Sequence, residues 1–372
     1  MRKSFIVEDD YNDSRLDKWF KNKIINLPHS LLEKILRQNK VKVNKKKTKS
    51  SYRLQTGDLI EIYDISKFKP VDKKKKIKYL PKKKEIGTYD DYVIEDNDNF
   101  TFSNIDLSNQ DHFDDIEGLN FDCVIHLAAR AGVRQSFREP KKYILDNTVS
   151  TTNLSGFVKK EEIQKFLIAS TSSIYGDSGE SPMKEDMDEK SPPPSVYASS
   201  KLSGELMAKT ILDGTETCIQ IPRFFTVYGP YGRPDMSILR FIHWIYTGTE
   251  ILLYGDGNQK RSFTYIDDVI SGLNTLILSK DSGVFNIGSD KTVSLNQVIS
   301  IIEKELNIES KIDYQPRAFK DVDVVIPDLN RMKSLNWNPT TSIEKGISKT
   351  IQWYLKYAEV LKDIRFKFEY EK

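Results

Sequence analysis

Short apolar runs separated by helical segments constrain the fold of residues 101–372 more than any other feature. Two of these runs, residues 121–127 and 165–170, are almost continuously apolar, as is typical of parallel strands covered on both faces. Between them, residues 139–158 are predicted to form a helix, and a further helix is predicted to begin at Ser195. The alternation predicts an α/β fold built on a parallel sheet.

The helix beginning at Ser195 carries a Tyr-x-x-x-Lys pair, Tyr197 and Lys201. Residues four apart share one face of a helix, and an ammonium favours a neighbouring phenolate, so the pair predicts a tyrosine acid/base with a lowered pKa. The spacing recurs twice nearer the N-terminus. Only this copy follows a hydroxyl-rich segment, residues 171–176, at the end of a predicted strand. Ligands bind at that end of open α/β sheets.

Charge divides the chain into two chemically different parts. Residues 1–84 hold 25 lysines and arginines against 10 acidic residues, whereas residues 85–372 hold 32 against 44. Such a basic segment is typical of a polyanion binder and also of a solvated lysine tail. Residues 67–84 contain ten lysines and one aspartate with no apolar period, which predicts a linker.

The remainder of the basic segment predicts a small folded domain. An amphipathic helix with Leu16 and Trp19 on its apolar face is predicted to begin after a Ser14 cap, and a second follows Pro28. Short strands are predicted at residues 41–43 and 59–62. The order is helix, helix, small basic sheet.

Composition excludes several classes of protein. Hydrophobic residues make up 38% and charged residues 30% of the chain, and no apolar run approaches the roughly 20 residues of a membrane span, so we expect no membrane partner. The N-terminus lacks the apolar core of a secretion signal and the two cysteines stand apart, which predicts a cytoplasmic protein. Four scattered histidines without a cysteine pair predict no metal site.

Residues 12–63 resemble a known RNA-binding domain. The segments SRLDKWF, HSLLEKILRQNKVKVNKKK and SYRLQTGDLIEIY are similar to the S-four-type domain that precedes the catalytic domain of large-subunit-type pseudouridine synthases. The resemblance implies RNA contacts from Ser30, Lys34, Arg37, Lys42 and Asn44, although an ordinary surface charge is the alternative for each cation. Two positions that are usually glycine in that family are Asn39 and Lys45 here. The catalytic aspartate motif of the synthases does not follow, so we expect no pseudouridine synthesis.

Six motifs in order resemble the extended short-chain dehydrogenase/reductase family, whose members include NAD-dependent epimerases and dehydratases. They are HLAARAGVRQS (126–136), STSSIYG (170–176), YASSK (197–201), PRFFTVYGPYGRP (222–234), GDGNQKRSFTYIDDV (255–269) and FNIGS (285–289). Within the family they are most similar to UDP-glucuronate 4-epimerases. The resemblance implies a Rossmann-like parallel sheet with a small C-terminal substrate lobe, NAD as cofactor, a UDP-sugar substrate with UDP-glucuronate favoured, and a homodimer.

The resemblance also implies residue roles for hydride removal at C4 and its return to the other face of the sugar. Tyr197 is the expected acid/base, Thr171 shares its hydrogen bond, and Lys201 holds the nicotinamide ribose. The implied cofactor contacts are Asp106, Leu107, Ala128, Ala129, Arg130 and Asn147. The implied substrate contacts are Ser172, Ser173, Thr226, Arg233 and Arg261. The alternatives are a helix cap for Asp106, a buried strand threonine for Thr226, and an ion pair with Asp235 for Arg233. Sugar dehydratases of the family carry Asp-Glu where this chain has two serines, which disfavours dehydration.

The family's G-x-x-G-x-x-G turn, which binds the cofactor pyrophosphate, does not occur in the sequence. The similarity starts near the family's third strand, at residues 101–108, so we expect the sheet to lack its first two strands and NAD to bind weakly. Either residues 102–105 shift to pair with residues 123–127, or the strand at residues 123–127 keeps an open edge and the chain aggregates or pairs in trans.

The sequence therefore predicts an S-four-type domain over residues 1–66, a Lys-rich linker over 67–100 and a truncated epimerase-like domain over 101–372. In one interpretation this is a fusion that retains an epimerase active site. In the other, the chain is an RNA-binding protein, contacting RNA through residues 1–84, with an inactive epimerase-like half.

Overall fold

A computed structural model describes residues 3–24, 29–63, 103–176, 182–186, 193–316 and 324–361. The described residues belong to two compact units, the first ending at residue 63 and the second beginning at residue 103. The predicted linker, residues 67–100, lies outside the described residues.

The first unit combines two helices with a four-stranded antiparallel sheet of order β1-β4-β2-β3. Its elements are β1 (Lys3–Ile6), a 3₁₀ turn (Asp9–Tyr11), α1 (Leu16–Lys23), α2 (His29–Arg37), β2 (Val41–Val43), β3 (Lys46–Lys47) and β4 (Leu59–Ile62). Both helices and the two expected strands are confirmed, whereas β1 was not predicted. The Ser14 cap is wrong, because Arg15 occupies the cap position of α1 and makes no side-chain capping bond.

The core of the first unit follows the amphipathic pattern of its helices. Leu16, Trp19 and Phe20 of α1 pack with Ile35 and Leu36 of α2 in one buried cluster that the sheet covers. Burying these side chains removes apolar surface from water, which stabilises the unit.

The second unit is built on a parallel sheet of order β13-β8-β6-β5, with β7 beside β8. Its strands are β5 (Cys123–His126), β6 (Lys165–Ile168), β7 (Ser170–Thr171), β8 (Cys218–Phe224), β9 (Thr226–Tyr228), β10 (Ile251–Tyr254), β11 (Lys260–Arg261), β12 (Phe263–Tyr265), β13 (Gly283–Ile287), β14 (Val293–Ser294), β15 (Ile312–Gln315) and β16 (Val324–Val325). Parallel order with helical crossovers confirms the predicted Rossmann-like α/β class.

The helices of the second unit cover both faces of this sheet and also form the core of a smaller lobe. They are a 3₁₀ segment (Gln110–Asp115), α3 (Val133–Arg138), α4 (Pro140–Tyr143), a π-helical segment (Ile144–Val149), α5 (Ser150–Lys160), a 3₁₀ turn (Ser172–Tyr175), α6 (Val196–Ile211), α7 (Ser237–Thr247), α8 (Ile266–Leu278), α9 (Leu295–Leu306), α10 (Asn330–Ser334), α11 (Ile343–Lys356) and α12 (Ala358–Leu361). The helix predicted over residues 139–158 is the α4–π–α5 run. Phe157 and Ala208 pack on one face of the sheet, and Val269 and Leu276 on the other.

A smaller lobe is built around the helices α7, α9 and α11. Phe241, Trp244, Ile299 and Tyr354 belong to its buried core, and the parallel pairs β9–β12 and β10–β15 flank that core. This lobe lies where the resemblance predicted a small C-terminal substrate lobe.

The outer edge of β5 bears on the pairing expected for residues 102–105. Residues 103–106 form no strand, and within the described part of the chain β5 pairs with β6 alone. A shift of residues 102–105 onto β5 is therefore wrong for residues 103–105, and the described residues leave the outer edge of β5 unpaired.

Candidate active site

Helix α6 places Tyr197 and Lys201 at the carboxyl ends of the parallel strands. The Ser195 side chain caps the helix by accepting a hydrogen bond from the Ala198 amide at 3.1 Å. Lys201 is only 5% exposed, and burial lowers its pKa to about 8, although the Glu205 carboxylate opposes that shift. Desolvation disfavours a charged ammonium, so this lysine sits where a positive charge is costly unless an anion or a polar ligand meets it.

The phenol of Tyr197 is hydrogen-bonded to Thr171. Burial raises the pKa of Tyr197, and the Thr171 bond and the charge of Arg233 lower it by less. The predicted lowering of this pKa is therefore wrong for the protein by itself, because desolvation outweighs the neighbouring positive charge. The ring also meets Tyr143 edge to face at a centroid distance of 6.3 Å.

Strand β7 fixes the position of Thr171. Its backbone pairs with Phe224 of β8, and its hydroxyl accepts a hydrogen bond from the Ser173 amide at 3.2 Å, which begins the 3₁₀ turn. Ser172 and Ser173 are half-buried in that turn. The structure thus brings the predicted Thr171 and Tyr197 together and places the two serines next to them in the chain.

The π-helical segment carries Asn147 into the interior. Its side-chain amide donates to Ser200 Oγ of α6 at 2.9 Å, and its Oδ1 accepts from the Arg130 amide at 2.7 Å. The same side chain also donates to the Arg130 carbonyl at 3.0 Å. Asn147 therefore ties α6 to the loop after β5, in keeping with the functional placement of many π segments.

The predicted cofactor residues after β5 lie in more open surroundings. Ala128 and Ala129 are exposed, and Arg130 Nε donates to the Asp146 carboxylate at 2.5 Å.

Asp106 and Leu107 form a separate local arrangement. Asp106 is exposed and accepts hydrogen bonds from the Ser108 amide at 2.9 Å and from its hydroxyl at 2.7 Å, which lower the Asp106 pKa. The carboxylate therefore stabilises a local turn, whereas Asn109 caps the following 3₁₀ helix, so the helix cap given as the alternative for Asp106 is not observed. Leu107 packs beside the core of the sheet, and its carbonyl accepts from Asn153 at 3.0 Å.

The predicted substrate residues Thr226 and Arg233 line one small cavity of about 10 Å³. Arg233 Nε donates to Asp235 at 2.9 Å and Nη2 makes a second bond to the same carboxylate, so the ion pair named as the alternative for Arg233 is present. Arg261 lies on β11, and its Nη1 donates to the Lys260 carbonyl at 2.9 Å.

A buried ion pair beneath the site was not predicted. Glu205, 1% exposed, accepts two hydrogen bonds from Arg223 at 3.1 and 2.8 Å, and it also accepts one from the Ser170 hydroxyl. Glu205 lies one turn after Lys201 on the same face of α6, a spacing that could have indicated its inward direction. Through Ser170 it holds the strand that carries Thr171.

The network continues behind the 3₁₀ turn. Arg223 lies over the ring of Tyr175 at 5.0 Å, and the Tyr175 hydroxyl donates to Asn286 at 2.7 Å. Burial raises the pKa of Tyr175 to about 12. Asn286 in turn donates its backbone amide to Glu185 at 2.8 Å. These contacts join α6, β8 and β13 behind the Thr171–Tyr197 contact.

The first unit shows a different chemistry. Lys34 and Arg37 are exposed on α2, and Lys42 lies over the Tyr63 ring at 5.4 Å. The Asn44 amide group is engaged internally, donating to Asp58 at 2.7 Å and accepting from the Leu59 amide at 2.8 Å. The side chain of Ser30 lies outside what the structure describes.

The backbone at two positions fits the resemblance to the RNA-binding domain. Asn39 and Lys45, which replace glycines of that family, have φ angles of 56° and 63°. Both therefore adopt the left-handed conformation that glycine accepts without a steric cost.

Among the described residues, no cluster of three or more His, Cys, Asp and Glu is arranged to hold a metal ion. Cys123 and Cys218 are free thiols. A search of the described helices for one long and apolar enough to cross a membrane found none. A cytoplasmic location stays a prediction.

Comparison with known proteins bears on this geometry. The family model of the NAD dependent epimerase/dehydratase family matches residues 54–288. The chain belongs to the NAD-dependent epimerase/dehydratase family. The match includes β5 to β13 and every residue of the Tyr197 site, and it begins earlier in the chain than the boundary predicted at residue 101.

Individual proteins are similar to this chain over most of its length. UDP-glucuronate 4-epimerase of Thermodesulfobacterium geofontis is 40% identical over 275 residues, which cover 73% of this chain and 84% of the relative. Protein CapI of Staphylococcus aureus is 34% identical over 70% of this chain and 84% of its own length.

Solved structures show the same fold. MoeE5 in complex with UDP-glucose and NAD has a TM-score of 0.62 at 32% identity, over 68% of this chain and 83% of that one. The UDP-glucuronic acid 4-epimerase of Bacillus cereus in complex with UDP-glucuronic acid and NAD has a TM-score of 0.60 at 31% identity, over 68% of this chain and 79% of that one.

Proposed function

We propose that the second unit is an NAD-dependent nucleotide-sugar 4-epimerase that acts on UDP-glucuronate. The observation that carries the proposal is the Thr171-bonded phenol of Tyr197 on the same helical face as buried Lys201, at the carboxyl ends of a parallel sheet. The relative from Thermodesulfobacterium geofontis, named for this activity, supports the choice of substrate.

The residues fit one half of NAD better than the other. At the nicotinamide end, the Lys201 ammonium is buried at a cost that the charge of Glu205 only partly offsets, so a pair of ribose hydroxyls would suit it. NAD supplies a hydride acceptor there. At the pyrophosphate end the sequence has no G-x-x-G-x-x-G turn, and Ala128 and Ala129 are exposed. We therefore propose weak NAD binding; calorimetry giving a Kd near 1 μM would contradict it.

Proton transfer falls to Tyr197. Loss of hydride from C4 of the sugar requires loss of the proton from the 4-hydroxyl, and Tyr197 Oη accepts that proton and later returns it. Thr171 directs the phenol through its hydrogen bond. That bond and the charge of Arg233 favour the phenolate, the form that accepts a proton, against the burial that raises the Tyr197 pKa. Between the two hydride transfers, the 4-keto sugar would have to rotate in the site so that its other face receives the hydride.

Arg233 is proposed to select the carboxylate of the sugar. Its guanidinium already holds the Asp235 carboxylate in a two-bond fork, the geometry in which arginine recognises carboxylates. A uronate would exchange with Asp235 and meet the hydroxyls of Ser172 and Ser173. This chain has no carboxylic acid at Ser172 and Ser173, which disfavours dehydration.

The direct test is conversion of UDP-glucuronate to UDP-galacturonate by the full chain in millimolar NAD, with UDP-glucose as a competitor. Arg233→Met should lower kcat/KM for UDP-glucuronate about 100-fold and leave that for UDP-glucose within about 3-fold, because only the uronate carries the charge. An equal loss for both sugars would remove Arg233 from substrate selection.

A second proposal concerns the first unit, which we infer binds RNA. The left-handed Asn39 and Lys45 and the exposed cations of α2 support an S-four-type domain of pseudouridine-synthase ancestry, joined to an epimerase domain that lacks its first strands. The internal bonds of Asn44 leave Lys34 and Arg37 as the stronger candidates for contact.

A charge-matched pair of variants tests RNA binding. Lys34→Ala/Arg37→Ala should reduce the slope of log affinity against log salt for an RNA hairpin by about 1 to 2. Lys18→Ala/Lys21→Ala on α1 removes the same charge and should leave the slope nearly unchanged. Equal effects of the two pairs would indicate nonspecific attraction only.

We also propose a homodimer through α6. Leu202 is buried, whereas Leu206 and Met207, one turn further along the helix, are exposed. Such an apolar strip on a surface helix is typical of a helix interface.

A further inference from the structure

The outer edge of β5 is the terminal edge of the main sheet among the described strands. The His126 carbonyl accepts from the Ala169 amide at 3.0 Å, so the backbone of His126 faces β6. Because backbone groups alternate along a strand, Ile125 directs its N–H and C=O to the open edge. Such an edge is a template for another strand.

Apolar side chains surround this edge. Ile125 is 43% exposed, and Leu119, Phe121 and Leu127 are also exposed. Burying such side chains against a pairing strand would remove apolar surface from water, so the edge offers both hydrogen bonds and hydrophobic area to an incoming strand.

Charge along β5 indicates which strand fits. The segment before it, residues 114–122, contains four acidic residues and no cation, whereas residues 127–138 after it contain three arginines and no acid. Part of this charge is used within the chain, as in the Glu117–Lys160 and Arg130–Asp146 ion pairs. Arg134 also lies over the Tyr254 ring at 5.5 Å. Asp122, Arg134 and Arg138 are nonetheless exposed at the two ends, where their charges act on an approaching strand.

We propose that the β5 edge pairs with β5 of a second copy of this chain, antiparallel and about a two-fold axis. In that arrangement the acidic segment of each copy meets the basic segment of the other, whereas parallel pairing would place like charges together. The contact is self-complementary, so it closes after two copies and leaves no further edge at β5. It is distinct from the helix interface proposed for α6.

Sedimentation equilibrium of the full chain over about 1 to 100 μM tests the pairing. Ile125→Lys should halve the mean mass of the particle. Ile270→Lys, a matched control at 49% exposure on α8, should leave the wild-type mass. Leu206→Lys reports on the α6 interface, so a mass that falls with Leu206→Lys and not with Ile125→Lys would overturn the proposal. So would a wild type that remains a monomer.

Charge exchange provides an independent route if Ile125→Lys does not fold. Asp122→Lys and Arg138→Glu should each weaken association at least 10-fold, because each places like charges across the two-fold axis. The double variant should regain most of the lost association. Antiparallel β5 pairing is contradicted if the losses of association caused by the two single variants add up in the double variant. It is also contradicted if neither single variant changes association.

Discussion

Two neighbouring strand ends of the main sheet differ sharply in how they are supported. At the end of β7, Thr171 meets Tyr197, and Ser170 is bonded to the buried Glu205–Arg223 pair. At the end of β5, the chain passes into exposed Ala128 and Ala129. The residues proposed for proton transfer are thus fixed by buried polar contacts. Of the residues proposed for the cofactor, Ala128 and Ala129 are exposed, and Arg130 is held through the buried Asn147. The group proposed for proton transfer after β7 and the exposed residues proposed for the cofactor after β5 therefore lie on separate segments of this fold.

Tyr197→Phe, which alters the site at the end of β7, should give the largest effect, a loss of kcat. Removing the phenolic oxygen removes the proposed proton acceptor, so kcat for epimerisation should fall about 10²- to 10⁴-fold while the circular dichroism spectrum stays the same. Tyr314→Phe, at an exposed tyrosine of β15, is the matched control and should keep wild-type kcat. Comparable kcat values for the two variants would assign proton transfer elsewhere.

Glu205→Ala should lower the free energy of unfolding by about 3 to 5 kcal/mol, because it leaves the Arg223 guanidinium buried without its partner. Denaturant titration measures the change. Glu205→Met combined with Arg223→Met should lose markedly less, since no uncompensated charge remains. If the double variant is as unstable as the single one, the ion pair is not what supports β7.

Lys201 should make stability depend on alkaline pH. Its pKa in the folded protein is about 8 against an ordinary value of 10.5, so the unfolded chain binds the proton more tightly. Below pH 8 Lys201 is charged in both the folded and the unfolded protein, so the full cost of burying its charge is present. Between pH 8 and 10.5 the folded protein loses the proton first, and this cost falls as pH rises. Wild type should gain about 1 to 3 kcal/mol relative to Lys201→Met between pH 7 and 10. A pH-independent difference would contradict this burial.

Replacing single alanines by serine should show the smallest effects and a clear contrast between the end of β5 and the site around α6. Ala128→Ser and Ala129→Ser should change the free energy of unfolding by less than about 0.5 kcal/mol, because both side chains face solvent. Ala198→Ser, at a fully buried position in the first turn of α6, should cost about 1 to 3 kcal/mol, since its hydroxyl would be buried. A loss at Ala128 equal to that at Ala198 would mean that the β5 end is covered.

Much of the sheet and of the catalytic group was predictable from sequence. Apolar runs identified β5 and β6, and the Tyr-x-x-x-Lys spacing identified α6, because strand and helix periods follow directly from backbone geometry. The left-handed turn positions Asn39 and Lys45 were also identified, from the glycines that they replace.

Features that depend on tertiary packing were not predictable. The pKa of Tyr197 rises because of burial, which local spacing does not report. The partner of Glu205 lies 18 residues away on β8, and β1 is a short, largely exposed strand with a weak pattern. In each case the deciding neighbour is distant in sequence.

The central claim is that hydride leaves C4 of the sugar and returns to the same carbon while Tyr197 moves the proton. UDP-glucuronate deuterated at C4, incubated with the full chain and millimolar NAD, tests it by mass spectrometry and NMR of the product. The account predicts UDP-galacturonate that retains deuterium at C4. Product that has lost the label to solvent, or no product at any NAD concentration, would contradict it.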